Sequence, residues 1–194
     1  MGRPLRALKA LATSFAPGYR RRVYETTDEL DRLQTLLDAS LAESGGHLRG
    51  IIRPGERTIS AEQLVATLVG VQHLVVATTT ADGRPRTSAV DGHFLHARWV
   101  FTTSWDAVKA RHLARRPAIS VTHLRGDSLG VFTHGTAERL LPEHDDFKGV
   151  DTHLTAHYGE SPSEWGKDIA YFRVQPEWMV VYAFAPQEYG GVDG

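Results

Sequence analysis

The stretch from His73 to Ser120 constrains the fold more than any other part of this 194-residue chain. It begins with Leu74-Val75-Val76-Ala77-Thr78-Thr79-Thr80, a run rich in β-branched residues that suits an extended, half-buried strand. Ala81-Asp82-Gly83 follows as a hairpin turn, and Thr87 to Val90 continues as a second strand. Asp91-Gly92 reads as another turn. Trp99-Val100-Phe101-Thr102 reads as a third strand, leading into a short helix that carries Lys109. Ala118 to Leu124 and Leu129 to Glu138 make a further pair joined at Arg125-Gly126-Asp127. A helix covers part of Glu143 to Tyr158, and Ile169 to Val174 and Trp178 to Phe184 supply the last strands. Short strands at turn-punctuated spacing, with few helices, predict a mainly β (α+β) chain built on a small barrel.

The first 70 residues follow another rule. Thr26 with Glu29 forms a capping-box pattern ahead of Leu30, Leu33, Leu36, Leu37 and Leu41, whose spacing gives one apolar helical face. Gly45-Gly46 ends that helix, Pro54-Gly55 marks a linker, and Ser60 with Gln63 opens a second helix that stops near Gly70. A leucine stripe of this kind needs a partner surface, so the helices are expected to pack on the side of the main domain. The predicted organisation is a basic arm and helical extension over 1–70, a barrel domain over 71–188 and a flexible tail over 189–194.

Composition narrows the function classes. The net charge is −1, which gives no overall basic excess for nucleic acid. The absence of cysteine excludes disulfides, thiolate catalysis and Cys-ligated zinc, and is compatible with a cytoplasmic setting. No apolar run reaches membrane-spanning length, so no stable membrane insertion is expected. The N-terminus carries Leu5, Leu8 and Leu11 at helical spacing among basic residues. It makes a poor signal peptide, because Arg6 and Lys9 interrupt the apolar part.

The strand-and-helix run also gathers groups suited to a phosphorylated planar cofactor. Ser104 or Thr103 is placed to cap the helix beginning near Asp106, whose free N–H groups attract an anion. Lys109 sits in its first turn or so and supplies a point charge. Thr87 and Ser88 offer donors from the neighbouring strand. The order and spacing of these groups, rather than any one of them, carry the signal.

The segments ATTTADGRPRTSAV, WVFTTSWDAVKARHLARRPAISV and VFTHGTAE resemble the pyridoxamine 5′-phosphate oxidase-like family of flavin- and deazaflavin-binding split β-barrels. The likeness rests on Ala77-Thr78, Asp82-Gly83-Arg84-Pro85, Thr102-Thr103-Ser104, Lys109, Arg116-Pro117-Ala118-Ile119-Ser120 and Gly135-Thr136-Ala137. It spans about residues 72–185. The resemblance implies a six-stranded split barrel that works as a homodimer, with the cofactor in a groove at the subunit interface. It implies that Lys109 binds the phosphate with Ser104 or Thr103, and that Thr102 stands nearby. Ser88, Ala89 and Val90 would lie along the ring or ribityl chain, and Trp178 would come from the partner to cover the ring. The implied function is FMN-dependent hydride transfer to or from a small organic substrate, which requires neither a Ser-His-Asp set nor a metal. The oxidases themselves carry Arg where this chain has Ser88 and directly before the phosphate lysine, where it has Val108. Those departures point away from vitamin B6 oxidation and keep an F420-dependent reductase as the alternative. A non-catalytic flavin, deazaflavin or haem binder is a third class.

Ten histidines invite a metal reading. His93 and His96 are expected on opposite faces of a strand. His112, His123 and His134 sit on separate elements. His144, Asp145, Asp146, Asp151 and His153 read as a solvated helix start. Arg125-Gly126-Asp127 reads as a turn. Arg111, Arg115 and Arg116 form a basic patch suited to a solvated helix end or to the acidic tail of F420.

Overall fold

A computed structural model describes residues 24–189. The basic arm with Leu5, Leu8 and Leu11, and the tail over 190–194, lie outside the described residues. Six antiparallel strands close into a barrel in the order β1-β2-β3-β6-β5-β4. They are β1 (Gln72–Thr79), β2 (Pro85–Leu95), β3 (Arg98–Ser104), β4 (Ala118–Arg125), β5 (Leu129–Leu140) and β6 (Ile169–Ala183). Five helices flank them: α1 (Thr27–Glu43), α2 (Gly46–Ile51), α3 (Ala61–Thr67), α4 (Val108–Leu113) and α5 (Phe147–Tyr158).

Both capping boxes form. Thr26 Oγ1 accepts from Glu29 N while Thr26 N donates to the Glu29 carboxylate at 2.8 Å, and Ser60 and Gln63 do the same at 3.1 and 2.8 Å. These reciprocal bonds satisfy otherwise free N–H groups and fix where α1 and α3 begin. Leu33 and Leu37 of α1 and Leu64, Val65 and Leu68 around α3 enter the same core as Leu74, Val76, Trp99, Phe101, Val131 and Phe172 of the barrel. The leucine stripe therefore finds its partner in the barrel. Helix α3 lies at the mouth where β1 begins and β4 ends, since Arg125 bonds both Thr67 O and Gln72 Oε1. Helix α4 plugs the opposite mouth with buried Ala110 and Leu113.

Two readings of the strand pattern need correction. Asp91-Gly92 is not a turn; both residues lie inside β2. Gly92 is there because a Cβ would meet Leu74 Cδ1 at 2.3 Å and Val100 O at 3.2 Å. The turn falls at His96-Ala97, both at positive φ, a two-residue hairpin without glycine. Carboxylates from the N-terminal segment hold it: Glu25 accepts from Ala97 N at 3.1 Å and Glu29 contacts His96 Nδ1 at 3.1 Å.

The second correction is that the last two predicted strands are one, β6, with an irregularity opposite His134/Gly135. His134 pairs with Trp178 and Gly135 with Pro176, which leaves Glu177 as the extra residue of a bulge. The inward face accordingly changes from Ala170, Phe172 and Val174 to Met179, Val181 and Ala183. Pro176, which has no N–H to give a ladder, sits where the ladder is interrupted.

A second apolar cluster lies outside the barrel. Helix α5 packs Val150 and Leu154 on Leu95, Val100, Leu140 and Tyr171, with Tyr24, Phe147, Tyr158 and Ile169 at its margin.

Candidate functional site

Strands β2 and β3 share only four residue pairs, from Leu95–Arg98 to Gly92–Phe101. Beyond Gly92 they part. Pro85 to Asp91 then pair with β1 alone, and Thr102 to Ser104 with β6 alone. Among the described residues, one edge of β2 is thus left without a strand partner, facing the end of β3. Unpaired strand edges carry N–H and C=O groups ready to bond another planar polar edge.

The cross-strand register sorts the predicted residues. Ser88 and Val90 oppose Val76 and Leu74, and share their inward face. Thr87 and Ala89 oppose Ala77 and Val75, and face outward. Across the parting, Thr103 opposes Ala170 on the inner side, and Thr102 and Ser104 oppose Tyr171 and Ile169 on the outer side. Six of the predicted groups — Thr87, Ser88, Ala89, Thr102, Thr103 and Ser104 — therefore border one gap, with Val90 at its inner end.

Helix α4 crosses the end of this gap. It leaves β3 through a turn in which Ser104 Oγ accepts from Asp106 N at 3.3 Å, and it reaches β1 where Thr78 Oγ1 meets His112 Nδ1 at 2.9 Å. Arg116 Nε donates to Thr79 O at 2.9 Å, so this arginine of the predicted patch is committed to the fold. The capping expectation is corrected: the N-cap is Ala107, no side chain caps α4, and Ser104 caps only the preceding turn. The first N–H groups of α4 accordingly have no side-chain acceptor. Trp105 anchors the turn through its N–H to Asp168 O at 2.7 Å and beneath the Arg139 guanidinium, 4.0 Å from the ring centroid.

Lys109 is the second residue of α4 and lies one turn before His112 on the same face. It is half-buried, and burial lowers its ammonium below the ordinary lysine value. Among the described residues no carboxylate forms an ion pair with Lys109 to offset that cost, so an anion placed against it would gain an interaction that these residues do not supply.

Trp178 sits elsewhere. It projects from the outer face of β6, stacks on His134 at 4.7 Å and donates Nε1–H to Ser40 O at 3.1 Å. His134 in turn meets Ser120 Oγ at 2.9 Å. Within one chain the barrel does not bring Trp178 to Lys109. The outer face of β1 and β4 also leaves Val75 and Leu124 exposed.

The histidine expectations also change. His153 is not solvated: it is 6% exposed, and its Nε2 meets Nδ1 of His93, 1% exposed, at 3.0 Å. His93 Nε2 continues to Tyr158 Oη at 3.1 Å. Asp151 and Asp146 are likewise engaged, with Tyr171 Oη and Arg173 respectively. Sequence reasoning missed this network. Its available signals were a histidine inside the apolar strand segment Gly92–Leu95 and another between Val150 and Leu154. Among the described residues no group of three or more His, Asp or Glu side chains is arranged to hold a metal ion, and no helix is long and apolar enough to cross a membrane. Arg125-Gly126-Asp127 is the β4–β5 turn, with Gly126 at φ 57°.

Comparison with known proteins supports the same frame. A family model described as "Pyridoxamine 5′-phosphate oxidase" matches residues 60–182. A pyridoxine/pyridoxamine 5′-phosphate oxidase from Bacteroides thetaiotaomicron is 33% identical over 75 residues, covering 38% of this chain and 35% of that protein. The chain thus spans about a third of the length of this curated relative. Among solved structures, a conserved hypothetical protein from Mycobacterium tuberculosis superposes with a TM-score of 0.55 at 18% identity, covering 72% of this chain and 94% of that one. The haem storage protein HutZ from Vibrio cholerae gives 0.51 at 21% identity, with 59% and 88% covered. A FAD-binding protein from Mesorhizobium loti gives 0.51 at 20% identity, with 65% and 94% covered. At these identities the likeness is one of fold.

Proposed function

Because the chain belongs to the pyridoxamine 5′-phosphate oxidase family, we propose that it is an oxidoreductase that binds FMN in the gap between β2 and β3 and acts on a small organic substrate. The observation that carries this reading is the unpaired β2 edge from Pro85 to Asp91, bordered by the hydroxyls of β3 and closed at one end by Lys109.

The residues present fit such a group. A phosphate needs a cation and several donors in one small volume. Lys109, the uncapped N–H groups of α4 and the Ser104 and Thr103 hydroxyls supply them. A planar ring with alternating donors and acceptors suits the β2 edge at Ser88, Ala89 and Val90. Thr102 and Thr87 flank that edge. When bound, the flavin supplies the hydride chemistry, while the protein provides binding, orientation and electrostatics. Backbone N–H groups of β2 directed at the pyrimidine edge favour the negative charge that this edge carries in the reduced ring. Lys109 fixes the phosphate and through it the depth of the ring.

The site is open in a single chain, and the exposed Val75 and Leu124 lie on an outer barrel face. A homodimer that buries this face completes the groove in our reading, with Trp178 of the partner subunit over the ring. A cytoplasmic setting accords with a chain that has no cysteine.

A second reading replaces FMN by coenzyme F420. Arg111 on α4 and Arg115 just beyond its end are exposed, and neither forms an ion pair among the described residues. They are suited to a polyanionic tail longer than one phosphate. Equilibrium titration of the purified protein with FMN and with F420, followed by ring fluorescence, separates the two. Saturable binding of FMN in preference to F420 supports the first reading, and the reverse order moves the chain to the second. Binding of neither at micromolar concentration overturns both. Saturable binding with no turnover by any nicotinamide donor or reduced deazaflavin system would make the protein a carrier.

A further inference from the structure

Helix α5 is held on the barrel by two unlike ends. Near its start, Arg173 joins the Glu138 carboxylate at 3.0 Å and the carboxylate of Asp146, the N-cap residue. Along its inner face the polar contacts to the barrel are the bond from Tyr171 Oη to the Asp151 carboxylate at 2.7 Å and the chain Tyr158 Oη–His93–His153, set beside the apolar contacts of Val150 and Leu154. The two imidazoles bond ring to ring, which requires each shared proton to have an acceptor lone pair opposite it. His153 Nδ1 is buried without a hydrogen-bond partner among the described residues. The ring of His157 stands 4.9 Å from that of His93, so a third titratable ring crowds the pair.

The surroundings offer little to a positive charge. From the segment before α1, Tyr24 packs edge-on against His153 with centroids 5.0 Å apart. From β2, Asp91 faces His157 and Tyr158, but its carboxylate is engaged by His73 at 3.1 Å. At the β2–β3 turn, His96 is engaged by Glu29, and Glu25 is engaged by Ala97 N. Between α5, Tyr24 and the β2–β3 turn, Lys148 and Asp145 line a cleft of about 710 Å³ that His153 also borders. Asp151 is bonded to Tyr171 and Ser161. Among the described residues no carboxylate bonds either buried ring. Burial and the neighbouring imidazoles accordingly push His93 down to about 3, and burial with His157 pushes His153 down to about 4.

We propose that the Tyr158–His93–His153 chain is an acid-sensitive clasp: with both imidazoles neutral it holds α5 against the outer face of β2 and β3, and protonation of the pair releases α5 while the barrel remains folded. Two features make the release local. The apolar cluster under α5 is separate from the barrel core. The Asp146 carboxylate is held below its usual range by its hydrogen bond to Arg173, so the start of α5 stays tethered over the pH interval in which the histidines charge. Release would bare Leu95, Val100 and Tyr171 on the outer faces of β2, β3 and β6. The clasp does not depend on which cofactor the gap takes.

The test is native-state amide hydrogen exchange on the full chain without cofactor, from pH 7.5 to 4.5, corrected for intrinsic exchange. Opening of α5 that takes up two protons rises about sixtyfold between pH 6 and pH 5, given an unfolded histidine value near 6.5. The proposal expects that slope in α5 amides, with barrel amides of β4 and β5 staying protected. His153→Phe removes one of the two protons and is expected to halve the logarithmic slope, whereas His157→Gln, a half-buried ring outside the bonded chain that burial lowers as well, is expected to reduce it by less. If the Phe variant does not fold, the wild-type profile still decides. A flat α5 profile, or α5 and barrel amides opening in parallel, overturns the proposal.

Discussion

At Gly135 a Cβ would lie 2.0 Å from the carbonyl oxygen of Gln175 and 3.0 Å from its carbonyl carbon. Both are backbone atoms of the facing strand, so neither can turn aside. Gly135→Ala is therefore expected to cost about 1–3 kcal/mol, the scale of forced overpacking, and to lower the urea midpoint without changing its slope. An unchanged midpoint would mean that β6 takes up the extra carbon by shifting its bulge. Gly92 meets a side chain instead, Leu74, which has some freedom to move, so Gly92→Ala is expected to be the milder of the two. Lys109→Ala is expected to act on binding and not on folding. It should weaken FMN by about 1.5–3 kcal/mol, the worth of a hydrogen bond to a charged group, with stability nearly unchanged.

The elements differ in how legibly the sequence carries them. Capping boxes are local chemistry, and Thr26-Glu29 and Ser60-Gln63 place α1 and α3 correctly from four residues each. Replacing Ser60 by Ala should cost about 1 kcal/mol in thermal or urea unfolding, a cap of ordinary worth. Glycines are less legible because they serve two purposes. Gly83 makes a turn, whereas Gly92 makes room, and nothing in the dipeptide Asp91-Gly92 tells these apart. Strand β6 was hidden by its own bulge: one extra residue at Glu177 reverses which side chains face inward, so a single strand carries the pattern of two. The gap residues on β2, β3 and α4 were legible because they follow one another along the chain. The histidine network was not, since His93 and His153 are 60 residues apart and meet only after α5 docks. That network makes stability depend on pH with a definite sign. Its histidines are held neutral with folded values below the unfolded one, so the unfolded chain binds more protons. Their contribution is fully present above about pH 6.5, and it is lost as pH falls from there towards the folded values near 4 and 3. Unfolding midpoints should fall over that interval, and His93→Phe should flatten the fall; a midpoint independent of pH would contradict the burial of the pair.

For the whole molecule, the helical extension and the barrel share one core. Leu33, Leu37, Leu64 and Leu68 are each at most 7% exposed in that joint interior. Removing residues 24–70 should therefore destabilise the barrel and not merely trim it. Mass measured in solution on the full chain should be that of a dimer, and Leu124→Asp on the exposed face of β4 should shift it towards a monomer and weaken FMN in parallel. A dimer that survives Leu124→Asp with full affinity would place the subunit contact elsewhere.

In the proposed function Lys109 grips a cofactor phosphate at the end of the β2–β3 gap. The most direct test compares the affinity of FMN with that of riboflavin, which lacks the phosphate, in the wild type and in Lys109→Ala. We expect the wild type to bind FMN more tightly than riboflavin, and Lys109→Ala to abolish most of that difference while leaving riboflavin binding nearly as it was. Equal preference for the phosphate in both proteins would contradict the account and remove Lys109 from the site.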